Sequence, residues 1–383
     1  MSATFESLGL DDQIVHALAE RGITESFPIQ EITIPDILAG KDVCGKAQTG
    51  SGKTLAFGLP LLQLLSKAKP GRPTGIALVP TRELATQVRD ELNPAAQAMG
   101  IRLAAIYGGD PIEKQIKQLQ GGVDLVVCTP GRAIDLIDRG DLSVAEITHV
   151  VIDEADRMAD MGFMPQVEWI LRNVEGKHQT LLFSATLDGV VDGLVRRYQE
   201  SPARHEVASE GPSIENMTHL FLHVHEMDKA KVASSIINGV DRTMVFMATK
   251  HGADRLADKL DDLGVDARAI HGDLRQNHRE RSLKEFSQGK VSALVATDVA
   301  ARGIHVDDVN VVVHYDPPSD YKTYVHRSGR TARAGESGIV ITFVLWNQEL
   351  EVRRLQKRLG METPLVEVFS NDPRLADLDA FSE

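Results

Sequence analysis

Two α/β domains, each a mostly parallel sheet covered by helices and joined by a short linker, are what this 383-residue sequence predicts. Three observations carry that reading. Short apolar runs alternate with helical patterns along the chain, the signature of parallel strands covered by helices. The length suffices for two domains with separate cores. The halves also echo each other at one offset: Thr81 and Thr249 (249 − 81 = 168) and Thr129 and Thr297 (297 − 129 = 168) stand at matching places after apolar runs.

The first strand series is expected at 76–79, 125–128, 150–152 and 180–183, and the second at 244–247, 293–296, 309–313 and 338–344. Ala253, Leu256, Ala257, Leu260 and Leu263 form the apolar stripe of a covering helix. Residues 200–213 are polar and punctuated by Pro and Gly, which marks a linker. The expected division is a first domain at 1–205, a linker at 206–213, a second domain at 214–368 and a tail at 369–383. That tail carries four acids and one base and reads as loosely held.

Composition narrows the function classes. The chain is 42% apolar and 25% charged, which describes a soluble globular protein. No apolar run approaches a bilayer span, and the N-terminus lacks a basic or apolar targeting segment, so no membrane role is expected. Cys44 and Cys128, the only cysteines, sit in apolar strand-like runs. Buried thiols in a reducing, cytoplasmic compartment are expected rather than a disulfide or metal site. The formal net charge of −13 excludes a broadly basic surface, so any nucleic-acid binding must use a local patch.

Residues 47–54 read Ala47, Gln48, Thr49, Gly50, Ser51, Gly52, Lys53 and Thr54. This is a phosphate-cradling loop with alanine at its first glycine position. Gly50 and Gly52 let backbone N–H groups turn toward phosphate, Lys53 supplies a point charge, and the Thr54 hydroxyl is placed for Mg²⁺. About a hundred residues later a strand runs into Asp153, Glu154, Ala155 and Asp156. Asp153 is expected at the metal and Glu154 at the attacking water. Two such motifs, in order and each after a strand, point to nucleotide hydrolysis. Only the first half carries them. The second half offers arginines at 327, 330 and 333, behind His326, at a spacing that shares one helical face. Arg330 and Arg333 are expected to reach the γ-phosphate when the halves close, so that one site is split between two bodies.

The ordered set of motifs resembles the DEAD-box RNA helicases, of the compact bacterial kind with two RecA-like domains. Besides 153–156, it includes Pro80-Thr81-Arg82-Glu83-Leu84-Ala85, Gly108-Gly109, Thr129-Pro130-Gly131-Arg132, Ser184-Ala185-Thr186, Ala296-Thr297-Asp298 through Arg302-Gly303, and the arginine segment. The resemblance implies an ATP-dependent RNA helicase using ATP and Mg²⁺. It implies a nucleotide-selecting segment at 22–30 with Phe5 upstream, and Gln30 as the residue that reads adenine through its donor and acceptor. RNA contacts are implied at Thr81, Arg82, Gly109, Thr129 and Arg132, and at Thr249, Gln276, Arg279 and Thr297. Their hydroxyls, N–H groups and few arginines suit a backbone gripped without sequence preference. Ser184 and Thr186, with Asp156 and His326, are implied to couple the ATP site to RNA.

The sequence departs from the family pattern at three places. Ile23 stands where an aromatic is usual and Phe27 where a threonine is usual. His305 stands where an Asp that contacts the ribose is usual. The expected mechanism is ATP-driven closure that bends one strand and opens a short duplex, by a monomer or weak oligomer. An ATP-gated RNA clamp would use the same motifs. A DNA translocase is disfavoured by the Gln30 segment and Asp156.

Overall fold

The computed structural model describes residues 3–48, 50–187, 189–207, 217–301, 309–331 and 338–381. The side chains of Gln276, Asn277, Val299 and Lys322 fall outside that description. The chain divides into two compact units, Met1–Ser209 and Glu210–Glu383.

The first unit runs α1 (Asp12–Ala19), α2 (Pro28–Leu38), β1 (Val43–Lys46), α3 (Lys53–Leu64), β2 (Gly75–Leu78), α4 (Arg82–Ala98), β3 (Leu103–Ile106) and α5 (Ile112–Gln120). It continues with β4 (Leu125–Cys128), α6 (Pro130–Asp138), β5 (His149–Asp153), α7 (Ala155–Asp160), α8 (Met164–Asn173), β6 (Gln179–Ser184), α9 (Val190–Tyr198) and β7 (Ala203–Glu206). Its seven strands pair in the order β3-β4-β2-β5-β6-β1-β7, every pairing parallel. Strand alternation then splits the apolar residues between two cores. Ala77, Val127, Val151 and Phe183 pack on one face. Ile76, Val126, Val150 and Leu182 pack on the other. Both faces are covered, which is why the central strands are continuous apolar runs. Cys44 and Cys128 are free and buried, and burial pushes both thiols up, Cys44 to about 11.

The second unit contains β8 (Met217–His223), α10 (Lys229–Asn238), β9 (Thr243–Met247), α11 (Lys250–Asp262), β10 (Ala267–Ile270), α12 (Gln276–Ser287), β11 (Ala293–Thr297) and α13 (Asp298–Ala301). After these come β12 (Val311–His314), α14 (Tyr321–Ser328), β13 (Gly338–Val344), α15 (Glu349–Leu359) and β14 (Leu365–Glu367). Its strand order, β10-β11-β9-β12-β13-β8-β14, repeats the first position for position. The echo in the sequence is thus matched by a repeated topology.

Two expectations need correction. The stretch read as linker from residue 200 begins with a strand: β7 pairs in parallel with β1 and its alternating burial is that of a sheet edge. The tail is docked rather than loose. Leu375 and Leu378 are buried in the second unit's core, and Ser370 bonds through its N–H and hydroxyl to Asp228 at 2.6 and 2.8 Å. Its acidity hid an apolar spacing that gives it a packed face. A smaller shift concerns β12, expected from 309: Val309 makes only an isolated bridge to Thr331.

Candidate functional site

The loop after β1 is shaped by its glycines. Gly50 and Gly52 have φ of 88° and 83°, left-handed values that side chains disfavour. At Gly52 there is no room either, since a Cβ would stand 2.5 Å from Gln30 Nε2 and 2.7 Å from the Phe27 ring. Ser51 donates its hydroxyl to the Gln48 carbonyl at 2.7 Å, which tightens the turn. Lys53 opens α3 and is buried, its ammonium donating to the Ala47 carbonyl at 2.9 Å. The helix N-terminus and the ammonium together make this a place for anionic oxygens. Thr54 hydrogen-bonds Glu91 of α4, whose carboxyl burial raises above its usual range. Glu91 belongs to no motif, and only the packing of α3 on α4 brings it to Thr54. Thr49 lies outside the described residues.

Asp153 is the last residue of β5, and the sheet register carries it past the buried Ile152 to the strand's end. Its Oδ1 accepts the Glu154 N–H at 2.9 Å. Glu154 is a non-glycine residue at φ 52°, a conformation in which the chain turns sharply into α7. Its carboxylate pairs with Arg157, a partner three residues on that the sequence reading missed. Burial pushes the Asp153 carboxyl up to about 7, against the pull of Lys53 and with the push of Glu154. Ser184, at the end of β6, binds in two directions. Its hydroxyl accepts the Asp156 N–H at 3.1 Å and its carbonyl accepts the Ala47 N–H at 3.0 Å. Thr186 follows, half-buried.

These residues suit a nucleoside triphosphate and its Mg²⁺. A buried acid pushed above its usual range beside a second acid is an environment that a divalent cation would relieve. No group of three or more His, Cys, Asp or Glu able to hold a metal occurs among the described residues. Thr54 and Asp153 would therefore share Mg²⁺ with phosphate oxygens and water, the usual preference of that ion.

The selecting segment is built differently from expectation. Gln30 is fully buried. Its Oε1 accepts the Phe27 N–H at 2.8 Å and its Nε2 donates to the Gly52 carbonyl at 3.0 Å. An amide has two hydrogens and two lone pairs, so these two bonds use one of each. Phe27 caps α2 without a side-chain bond, which removes the hydroxyl half of a capping box while Gln30 keeps the other half. Its ring is 54% exposed and stands against Gly52. Phe5, in contrast, is 2% exposed and belongs to the core, with Ile23 packed on that core. Phe5 thus supports the segment from beneath and does not offer an open ring face.

The expected RNA residues of the first unit gather where strands end. Thr81 caps α4 by accepting the Leu84 N–H at 3.3 Å, and Thr129 stands at the N-cap position of α6, after β4, without a side-chain capping bond. Arg82 is held by Glu83 at 3.2 Å and lies over Gly109, where a Cβ would come within 2.6 Å of its guanidinium. Arg132 donates twice to the Asp110 carbonyl, 3.2 Å each, which fixes the Gly109 loop.

In the second unit Thr249 caps α11 as Thr81 caps α4, accepting the Gly252 N–H at 3.1 Å, and Thr297 closes β11. Arg279 on α12 is buried, not the open charge expected. Gln276 begins α12, its side chain outside the description. His326 and the buried Arg330 line a small recess with Phe246, Asp298 and Arg327. His305 and Arg333 lie outside the described residues.

Residues 27–193 match the DEAD/DEAH box helicase family model and residues 228–335 match that of the helicase conserved C-terminal domain. The chain is 40% identical over 359 residues to the DEAD-box ATP-dependent RNA helicase CshA of Bacillus licheniformis, covering 93% of this chain and 74% of that one. To the protein of the same name in Geobacillus kaustophilus it is 40% identical over 382 residues, 97% of this chain and 81% of that one. Among solved structures, S. cerevisiae Dbp5 bound to RNA and ADP BeF3 aligns with a TM-score of 0.84 at 28% identity, over 99% of each chain. A DEAD box protein of Methanococcus jannaschii aligns with a TM-score of 0.53 at 34% identity, over 96% of this chain and 100% of that one.

Proposed function

Because the chain belongs to the DEAD-box family of ATP-dependent RNA helicases, we propose that it couples RNA-stimulated ATP hydrolysis to closure of its two units and to local opening of short RNA duplexes. The observation that carries this reading is the gathering of buried Lys53, Asp153 and Glu154 at the C-terminal ends of β1 and β5, while Thr81 and Thr129 stand at the N-cap positions of helices after the neighbouring β2 and β4. Open α/β sheets bind ligands along that edge. Nucleotide and RNA are thereby read by loops of one sheet.

In this mechanism Gly50, Gly52 and Lys53 hold the phosphates, and the remaining amide positions of Gln30 select adenine. Thr54 and Asp153 would hold Mg²⁺, which would supply neutralisation of phosphate charge there. Glu154 orients and deprotonates the attacking water. Arg330 and Arg333 of the second unit neutralise charge developing on the γ-phosphate. Asp156, Ser184, Thr186 and His326 pass the state of the phosphate loop to the RNA face. The bonds of Ser184 to both Asp156 and Ala47 support its place in that relay. Thr81, Arg82, Gly109, Thr129 and Arg132 grip one stretch of strand, and Thr249, Gln276, Arg279 and Thr297 the next. The protein acts in the cytoplasm as a monomer or weak oligomer. Its two buried free thiols suit a reducing compartment.

Duplex release tests unwinding against clamping. With ATP, a short RNA duplex should dissociate rapidly and a long one barely at all. Tight ATP-dependent RNA retention without release of either would show a clamp.

Salt tests how RNA is held. Lys and Arg number 20 against 27 Asp and Glu up to residue 205, and 22 against 28 beyond it, so neither half is basic. The charged partners expected for phosphate are Arg82, Arg132 and Arg279, and the first two are already engaged within the first unit. Each phosphate neutralised on a single strand adds about −0.7 to the log–log salt slope, so three give a slope near −2 at most. Fluorescence anisotropy of labelled RNA in the ATP-bound state should return that shallow slope. One around −5 would reveal a basic surface elsewhere.

A further inference from the structure

Lys229 opens α10 and is 2% exposed. Its ammonium stands 3.1 Å from Asp316 Oδ1 and 4.2 Å from the centre of the Tyr315 ring. Lys229 is buried and Asp316 half-buried, and desolvation of the lysine offsets much of the attraction between them, so the pair is a poor source of stability. What this pair does is hold a junction. Asp316 Oδ2 accepts the N–H of Ala248 at 2.9 Å, one residue before Thr249. The Asp316 carbonyl accepts Arg327 Nη1–H at 2.7 Å. Arg327 in turn grips Asp298 with both arms of its fork, at 2.6 and 2.8 Å, one residue after Thr297. Three residues beyond Arg327 is Arg330.

The repeated topology explains why a lysine is there. β8 holds the place in its sheet that β1 holds in the other, and each is followed by a helix whose first residue is a lysine, Lys229 and Lys53. β5 and β12 correspond likewise. Ile152 pairs with Leu78, and His314 pairs with Phe246, which is Leu78 shifted by the 168-residue offset (78 + 168 = 246). Two residues further along the chain, past each strand's end, stand Glu154 and Asp316. The second unit thus has a lysine and an acid at the positions of Lys53 and Glu154, but there is no glycine between His223 and Lys229 to cradle phosphate. The lysine is given a carboxylate of its own chain.

We propose that Lys229 is a positioning residue: by holding Asp316 it keeps the Ala248–Thr249 turn, the Thr297–Asp298 strand end and the arginine-bearing end of α14 in one arrangement, so that RNA on the two threonine loops is felt at Arg330. The inference rests on the functional reading above. It deepens that reading by adding a residue that touches neither RNA nor nucleotide.

The test uses the full chain, poly-uridine RNA and two variants checked for folding by circular dichroism. Lys229→Met keeps the length of the side chain without its charge. Asp316→Asn keeps the main-chain carbonyl for Arg327 and an oxygen for Ala248. Each should raise the RNA concentration for half-maximal ATP turnover about tenfold, a coupling of ordinary size. KM for ATP and the RNA-free rate should stay within about twofold of the parent, a split that general damage to the fold would not produce. The double variant should be no worse than the worse single, since both break one link. If Lys229→Met does not fold, Asp316→Asn decides. Unchanged RNA dependence in a folded variant, equal loss of every parameter, or failure of both variants to fold would each overturn the proposal. A parent that RNA does not stimulate would overturn the functional reading itself, and this inference with it.

Discussion

Glu154→Gln should bind ATP and RNA as the parent does and lose ATP turnover by roughly two to four orders of magnitude, the range expected when a general base is removed. Glutamine has the shape of glutamate and tolerates the same backbone, so the φ of 52° and the bond from the Glu154 N–H to Asp153 survive. What is lost is a carboxylate that can take a proton, held in place by Arg157. With ATP bound and uncleaved, the variant should remain on single-stranded RNA far longer than the parent. Single-turnover hydrolysis and RNA dissociation measured on one preparation check both effects. Turnover at the parental rate would remove Glu154 from the chemistry.

Arg330→Ala carries the second large effect. It should leave nucleotide affinity nearly intact and lower RNA-stimulated turnover by about three orders of magnitude or more, the usual scale for an arginine acting on a transferring phosphoryl group. Arg330 is buried beside His326 and Arg327, so a thermal melt must accompany the kinetics. The same logic applies to the first unit alone. A fragment ending at residue 205 would cut β7, which closes the sheet against β1, so the fragment to study is 1–207. It should bind ATP weakly and hydrolyse almost none. Rapid hydrolysis by that fragment would show that the second unit's arginines do not act on the phosphate.

The parts of the molecule legible in the sequence were those fixed by short-range rules. Short apolar runs such as Val150–Ile152, β-branched and bounded by polar residues, read as strands covered on both faces. Gly52 was legible as a backbone requirement, although the sequence could not show that Gln30 and Phe27 crowd it as well. What escaped depends on contacts between distant segments or on mixed signals. β7, reading Ala-Arg-His-Glu, is an edge strand with one covered face, so its polarity resembled a linker. Leu375 and Leu378 were masked by the acids around them. Glu91 meets Thr54 only because two helices pack. Phe5 is an aromatic at the expected spacing from Gln30, yet spacing does not say whether a ring faces a ligand or a core.

The central claim is that ATP and RNA are bound as linked ligands, and linkage must appear in binding itself. The most direct measurement is the affinity of the full chain for a short single-stranded RNA, taken with a non-hydrolysable ATP analogue and again with ADP. Binding should be at least about tenfold tighter with the analogue than with ADP, and the factor by which the analogue tightens RNA binding relative to nucleotide-free protein should equal the factor by which RNA tightens binding of the analogue. Equal RNA affinity in the two nucleotide states would contradict the linkage.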